Sequence, residues 1–292
     1  MRVGVTLPQY DVDFRGGRAD AGAALGYGCV AETAGFDSVW VSDHGFAVAP
    51  DGSVSGAFDA AGLSAAVAAL TDRVGVGTLV LASSTRSPAQ TAAIASSLRV
   101  VGGTRVTCGI GAGWNPLTHR AYGISLGDYC ARAARLRDTA ALVCDMYPGL
   151  RLLVGGWGDP VLSVAAHHAD AWNLAWDVPA QAFHAVSARL DAACEAAGRD
   201  PTTLRRSVGL TILCGHTRRD LEDAVERVTQ RAPFLAGIDL AGLDDRLVVG
   251  TPAACADRIA AYGADEVVLA PFVRDDLGLL TMIGSEVVPL LR

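Results

Sequence analysis

Residues 74–115, VGVGTLVLASSTRSPAQTAAIASSLRVVGGTRVTCGIGAGWN, decide the fold. The runs 74–81 and 105–110 are short, rich in β-branched residues and nearly continuous in apolarity. Strands buried on both faces of a parallel sheet read this way. Between them Ser87 precedes Pro88. A hydroxyl at that point satisfies orphan amides of a helix start, and the proline sits where no amide donor is needed. The pattern predicts a helix over 88–101. Strand, helix, strand in this order is the crossover unit that joins parallel neighbours.

The same unit repeats outward in both directions. Strands are predicted at 3–7, 38–42, 151–155, 170–174, 207–214 and 266–270. Helices are predicted at 20–34, 57–70, 127–144, 160–168, 179–197, 218–230, 252–262 and 276–291. Asp159-Pro160, Asp200-Pro201 and Thr251-Pro252 repeat the cap-and-proline start. Eight strands alternating with helices over 292 residues fit a closed (β/α)₈ TIM barrel better than an open doubly wound sheet. The expected class is α/β, a single domain over 1–292 with no linker or short repeat.

Composition narrows the chemistry. The chain is 51% hydrophobic, carries a net charge of −7 and contains no lysine. Schiff-base catalysis, a pyridoxal phosphate anchor and a P-loop all need a lysine amine, so each is excluded. The arginines are scattered rather than striped, which argues against a nucleic-acid partner. No apolar run reaches the roughly 18 residues of a membrane span. Met1 leads directly into Val3-Gly4-Val5-Thr6-Leu7 without a basic leader, so a cytoplasmic protein is expected. The seven cysteines are widely spaced and form no C-x-x-C pair, which argues for reduced thiols and against a disulfide framework or a metal site.

Polar, aromatic and glycine residues gather at one end of the strands. They are Ser42-Asp43-His44 after the second strand, Ala82-Ser83-Ser84-Thr85 after the third and Gly111-Ala112-Gly113-Trp114-Asn115 after the fourth. Gly155-Gly156-Trp157-Gly158 ends the fifth, and Trp172-Asn173 ends the sixth. The opposite ends are ordinary loops such as Thr71-Asp72-Arg73. In a barrel the C-terminal strand ends share one mouth, so the active site belongs there. His167-His168 lies inside a predicted helix, one residue apart, which is the wrong spacing for two ligands on one face and suits a helix C-terminal feature.

Four of these segments together resemble the luciferase-like family of flavin- and deazaflavin-dependent oxidoreductases. They are AGFDSVWVSDH (34–44), VGVGTLVLASSTRSPAQTA (74–92), RVTCGIGAGWNPLTHRAYG (105–123) and LLVGGWGDPVLSVAAHHADAWN (152–173), in the family's order. The resemblance covers most of residues 1–175 and loosens in the C-terminal third. It departs at Met146-Tyr147-Pro148-Gly149, where the family usually has a longer connection that contributes to the pocket wall.

The resemblance implies catalytic roles for His44, as proton donor or acceptor, and for Asp43, as a ring-contacting or His-orienting acceptor. It implies a non-proline cis bond at Leu79–Val80, with Leu79, Val80 and Ala82 supporting the cofactor ring from behind. Gly113, Trp114 and Asn115 are expected to let the cofactor approach, wall the pocket and hydrogen-bond the cofactor. Gly155, Gly156 and Trp157 are expected at its phosphate, near a helix N-terminus. Each has a bland alternative: a structural histidine at 44, core packing at Trp114, and a plain tight turn at Gly155-Gly156.

The function that follows is hydride transfer between a small organic substrate and the deazaflavin coenzyme F-420, an 8-hydroxy-5-deazaflavin. The alternatives are a reduced-FMN monooxygenase or reductase on the same barrel, and a non-catalytic flavin-binding barrel. Arg86 or Arg120 is expected to meet the acidic tail of the deazaflavin. The resemblance also implies a homo-oligomer, with neither membrane nor nucleic acid as partner.

Overall fold

The computed structural model describes residues 1–48, 54–231, 240–244 and 247–292. Eight strands pair in parallel in chain order: β1 (Arg2–Thr6), β2 (Ser38–Val41), β3 (Gly75–Thr78), β4 (Val106–Gly111), β5 (Arg151–Gly155), β6 (Ala171–Leu174), β7 (Arg205–Cys214) and β8 (Glu266–Pro271). β8 returns to β1 in the register Arg2↔Glu266 and Val3↔Val267, which closes the sheet into the expected (β/α)₈ barrel. Helices α1 (Ala21–Ala34), α2 (Ala60–Leu70), α3 (Pro88–Gly102), α4 (Tyr129–Met146), α5 (Asp159–His168) and α6 (Ala180–Ala196) fill successive crossovers. α7 (Arg218–Arg231) and α8 (Pro252–Ala260) lie between β7 and β8, and α9 (Leu277–Met282) follows β8. None of the described helices is long and apolar enough to cross a membrane.

Each predicted strand and helix is present within a few residues of its expected bounds. Additions among the described residues include a hairpin of Phe46–Val48 with Val54–Gly56 after β2, short helices Pro116–Ala121 after β4 and Leu240–Asp244 after α7, and a strand Val248–Gly250 beside the end of β7. The connection from α4 to β5 is as short as the sequence reading has it, running from Tyr147 to Leu150. Ser87 and Thr251 cap their helices as expected, and Asp200 caps a 3₁₀ turn. The start of α5 differs: Gly158 is the cap, and Asp159 is the first helical residue. A Cβ at 158 would lie 1.8 Å from the Tyr129 hydroxyl, so a side chain there requires Tyr129 to move.

Strand starts are held by carboxylates from the loop before the next strand or the one after. Asp37 accepts the Val3 amide at 2.8 Å, Asp170 the Leu152 amide at 2.8 Å and Asp265 the Arg206 amide at 2.7 Å. Each aspartate sits at the end of an αβ loop, where an amide at the barrel's edge lacks a strand partner.

Two cores result. The larger lies between the sheet and the helices. The smaller fills the barrel itself, with Trp40, Leu79, Leu153, Ala171 and Val268 packed together against Val80. Glycines make room for these large side chains. A Cβ on Gly4 would lie 2.6 Å from the Trp40 Nε1, and one on Gly77 would lie 2.3 Å from its ring. Gly109 and Gly111 face the protein's own chain. A Cβ on Gly109 would lie 1.9 Å from the Thr78 carbonyl oxygen, and one on Gly111 would lie 2.6 Å from the Val80 side chain.

Candidate active site at the barrel mouth

β3 ends at Thr78, and the chain turns through a cis peptide at Leu79–Val80, as the sequence reading expects. Leu81 and Ala82 then resume pairing with the end of β4. Val80 is half-buried and packs on the inner core, whereas Leu79 is buried within it. A second non-proline cis bond, Ala175–Trp176, follows β6 and has no counterpart in the sequence reading.

Asp43 and His44 leave the end of β2 together but face different partners. The Asp43 carboxylate accepts the Ala82 amide at 2.9 Å and forms a two-pronged ion pair with Arg86. Burial works against the Arg86 charge, yet Asp43 overrides it and holds the guanidinium above its ordinary pKa. Asp43 therefore does not orient His44, because both of its oxygens are committed to Arg86. Arg86, expected near an acidic cofactor tail, is for the same reason not a free cation.

His44 is half-buried, and no described residue hydrogen-bonds its imidazole. Burial pushes it below its ordinary pKa, and Asp43 opposes this only in part. The ring is therefore neutral at pH 7 and keeps a nitrogen able to accept a proton. Its edge meets Trp114, with centroids 5.9 Å apart and planes at 76°. Trp114 is 68% exposed, which rules out core packing and leaves it as part of the wall. Trp157 is 61% exposed and Trp176 is 37% exposed, so three indoles from separate loops stand open to solvent.

Asn115 directs its side-chain oxygen to the amides of Leu117 and Thr118, capping the short helix Pro116–Ala121. Its NH₂ group remains as a donor. One turn later the buried His119 folds back. Its Nδ1 meets the Asn115 carbonyl at 2.7 Å, and its Nε2 meets the Ser84 hydroxyl at 2.9 Å. A carbonyl can only accept, so Nδ1 carries the proton and Nε2 pairs with the Ser84 hydroxyl. Gly113, at φ +78°, lies over Ser84, whose Oγ would be 1.8 Å from a Cβ there. Ser84 and His119 thus tie the β3 and β4 loops together.

The proposed phosphate cradle is arranged differently from expectation. The Gly156 amide donates to the Asn173 carbonyl at 3.1 Å, and the Gly156 carbonyl accepts the Trp172 indole at 2.6 Å. Gly155 packs against Val80. The open amides are those of Trp157 and Gly158, just before α5. Asp159 pairs with Arg189, which offsets the negative charge next to them.

Sequence reasoning missed the contribution of the loop after β1. Gln9 is buried and clamps Ser42 from both sides, accepting from its amide at 2.7 Å and donating to its carbonyl at 2.8 Å. Burial lifts the neighbouring Tyr10 phenol to about 12, with Arg274 opposing. Asp177 binds the Thr211 amide and hydroxyl, at 2.6 and 2.9 Å, joining the β6 and β7 ends. Gln9 and Tyr10 directly follow the first strand, and that position was the available signal.

The sequence profile described as luciferase-like monooxygenase matches residues 1–149 and 144–238. The chain belongs to the luciferase-like monooxygenase family. The two matched segments meet at the shortened connection before β5, where this member departs from the family pattern. No curated protein is similar in sequence. Among solved structures, an F-420-dependent secondary alcohol dehydrogenase in complex with an F-420-acetone adduct aligns with TM-score 0.82 at 16% identity, covering 100% of this chain and 99% of that one. A coenzyme F-420-dependent tetrahydromethanopterin reductase from Methanopyrus kandleri aligns at 0.79 and 15%, covering 100% and 99%. An EDTA monooxygenase from Chelativorans sp. BNC1 aligns at 0.78 and 16%, covering 100% and 93%. At these identities the likeness is one of fold, and this luciferase-like member shares its barrel with F-420-dependent enzymes and with a monooxygenase.

Proposed function

We propose that this luciferase-like protein transfers hydride between a small organic substrate and the deazaflavin coenzyme F-420. The observation that carries the reading is His44: a neutral imidazole at the barrel mouth, free of hydrogen bonds from described residues and edge-on to an exposed indole. The residues at the mouth fit such a cofactor. The open amides of Trp157 and Gly158 before α5 suit a phosphate, and the exposed faces of Trp114 and Trp157 suit a planar ring.

When bound, the deazaflavin supplies the hydride chemistry. A ring nitrogen of His44 takes the proton of a substrate hydroxyl as its carbon loses hydride, and returns it in the reverse direction. Trp114 and Trp176 keep bulk water from the reacting carbon. Val80, held by Gly111 and Gly155, supports the ring from below. Asp43 acts indirectly, fixing the strand end from which His44 projects.

A reduced-FMN monooxygenase or reductase is the second reading. The engagement of Arg86 by Asp43 favours it, since a deazaflavin tail gains no cation there. Arg120, exposed on the short helix after β4, is then the remaining candidate for the tail. Equilibrium titration of the apoprotein with each cofactor at matched salt tests the choice. FMN binding as tightly as the deazaflavin, or more tightly, transfers the assignment to the monooxygenase.

A further inference from the structure

The opposite end of the barrel carries a charge arrangement that the mouth chemistry does not use. Side chains on a strand alternate between the two faces, so the residues in phase with Trp40 and Leu153 point into the barrel. At the N-terminal end this places Arg2, Arg151 and Arg205, from β1, β5 and β7, around one small opening. Ser38 and Glu266 complete its rim, and Trp40 and Leu153 form its floor.

The three guanidiniums are poorly matched. None of them forms an ion pair with a described carboxylate. Glu266, the one inward carboxylate, accepts the Ser38 hydroxyl at 2.5 Å. Arg2 gives one weak bond to the Asp37 carbonyl at 3.4 Å, and its buried Nε has no partner. Arg151 donates once, to the Thr104 carbonyl at 2.5 Å. Arg205 has no hydrogen bond from its guanidinium to a described residue. Burial, then the like charges of Arg2 and Arg205, push Arg151 below its ordinary pKa, and Glu266 and Asp170 offset them only in part.

Nearby charges do not remove the excess. Arg105 also lines the opening, but its guanidinium is already engaged, donating to Ala68, Val74 and Thr71. Asp37, Asp170 and Asp265 are in the opposite strand phase, each engaged with a strand amide. Among the described lining residues, Arg2, Arg151 and Arg205 therefore face Glu266 with no ion pair of their own, beside the engaged Arg105, and these like charges repel one another until an anion enters.

We infer that the N-terminal end of the barrel binds a halide-sized inorganic anion between Arg2, Arg151 and Arg205, since the opening holds only about 10 Å³. Guanidinium N–H groups give charge-assisted hydrogen bonds to such an ion, and the narrow opening excludes larger organic acids.

The test measures thermal unfolding of the full chain in sodium chloride and sodium gluconate at matched ionic strength. Chloride raises Tm by about 2–6 °C over gluconate, because the small anion binds the folded state. Arg205→Met loses this difference, and in gluconate it unfolds no lower than wild type because a repulsive charge has gone. Arg151→Gln behaves alike and serves if the first variant does not fold. Anomalous scattering from bromide-soaked crystals gives the position, with a peak between the three guanidiniums. A Tm equal in both salts, a difference that survives in both variants, or bromide found only elsewhere overturns the inference.

Discussion

Asp43 and Arg86 lock the ends of β2 and β3 to each other: Oδ1 accepts from Nη2 at 2.8 Å, and Oδ2 accepts both Nη1 and the Ala82 amide. Their side chains are 7% and 17% exposed, so the pair is largely shielded from solvent. Asp43 directly precedes His44 in the chain, so the geometry of the pair sets where the imidazole begins.

Arg86→Met therefore costs stability, by about 3 kcal/mol, since a shielded carboxylate loses its partner. The double variant Asp43→Asn/Arg86→Met recovers part of that loss, with a coupling of about 0.5–3 kcal/mol. Denaturant midpoints of the two singles and the double measure it. A double-variant loss equal to the sum of the two single losses would show the pair to be uncoupled.

His44→Ala lowers turnover by about 10²–10⁴-fold and changes cofactor affinity far less, because a proton-transfer group acts mainly in the transition state. The pH profile carries the same signature. A pKa held below the ordinary value of about 6.5 leaves the imidazole neutral down to mildly acidic pH. The acid limb of kcat/KM for hydroxyl oxidation thus falls below that value and disappears in the alanine variant. Wild-type turnover in His44→Ala would return the residue to a structural role.

Gly109→Ala and Gly26→Ala differ in sign. A Cβ at 109 would lie 1.9 Å from the Thr78 carbonyl oxygen, backbone against backbone, and the variant loses about 3 kcal/mol or fails to fold. Gly26 is exposed on α1 with open space around its Cβ position, and its alanine variant gains about 0.5–1 kcal/mol. Thermal unfolding of both variants checks the pair of signs.

Any preference for deazaflavin over FMN is modest. With Arg86 engaged, contacts from exposed arginines such as Arg120 contribute about 0–1 kcal/mol each. Arg120→Ala changes the affinity ratio by at most about five-fold. Competitive titration reads the ratio, and a change well beyond that would mean Arg120 is held in a shielded site.

The barrel was legible because each crossover carries its own signals: apolar strands such as 105–110 and cap-proline starts such as Ser87-Pro88. The cis bond at Leu79–Val80 was legible only through resemblance, since a plain buried strand has the same composition. What escaped was side-chain partnership across loops. Asp43 next to His44 in sequence suggested a catalytic pair, yet Arg86, 43 residues away, claims the carboxylate. The glycines of β4 suggested an approach for a ligand, yet they accommodate Val80, which only the turn after β3 brings inward. His119 gave no signal, because its role depends on Ser84 across the mouth.

Trp40 and the side chains packed around it span the barrel's cross-section between Val268 on one side and Leu153 on the other. They act as a bulkhead. Their buried side chains stand between the arginine-lined end and the mouth. Ionic conditions at one end thus alter the protein's cohesion at a remove from the reacting atoms at the other. Each end is free to change its residues independently, provided the indole and the glycines that admit it change together.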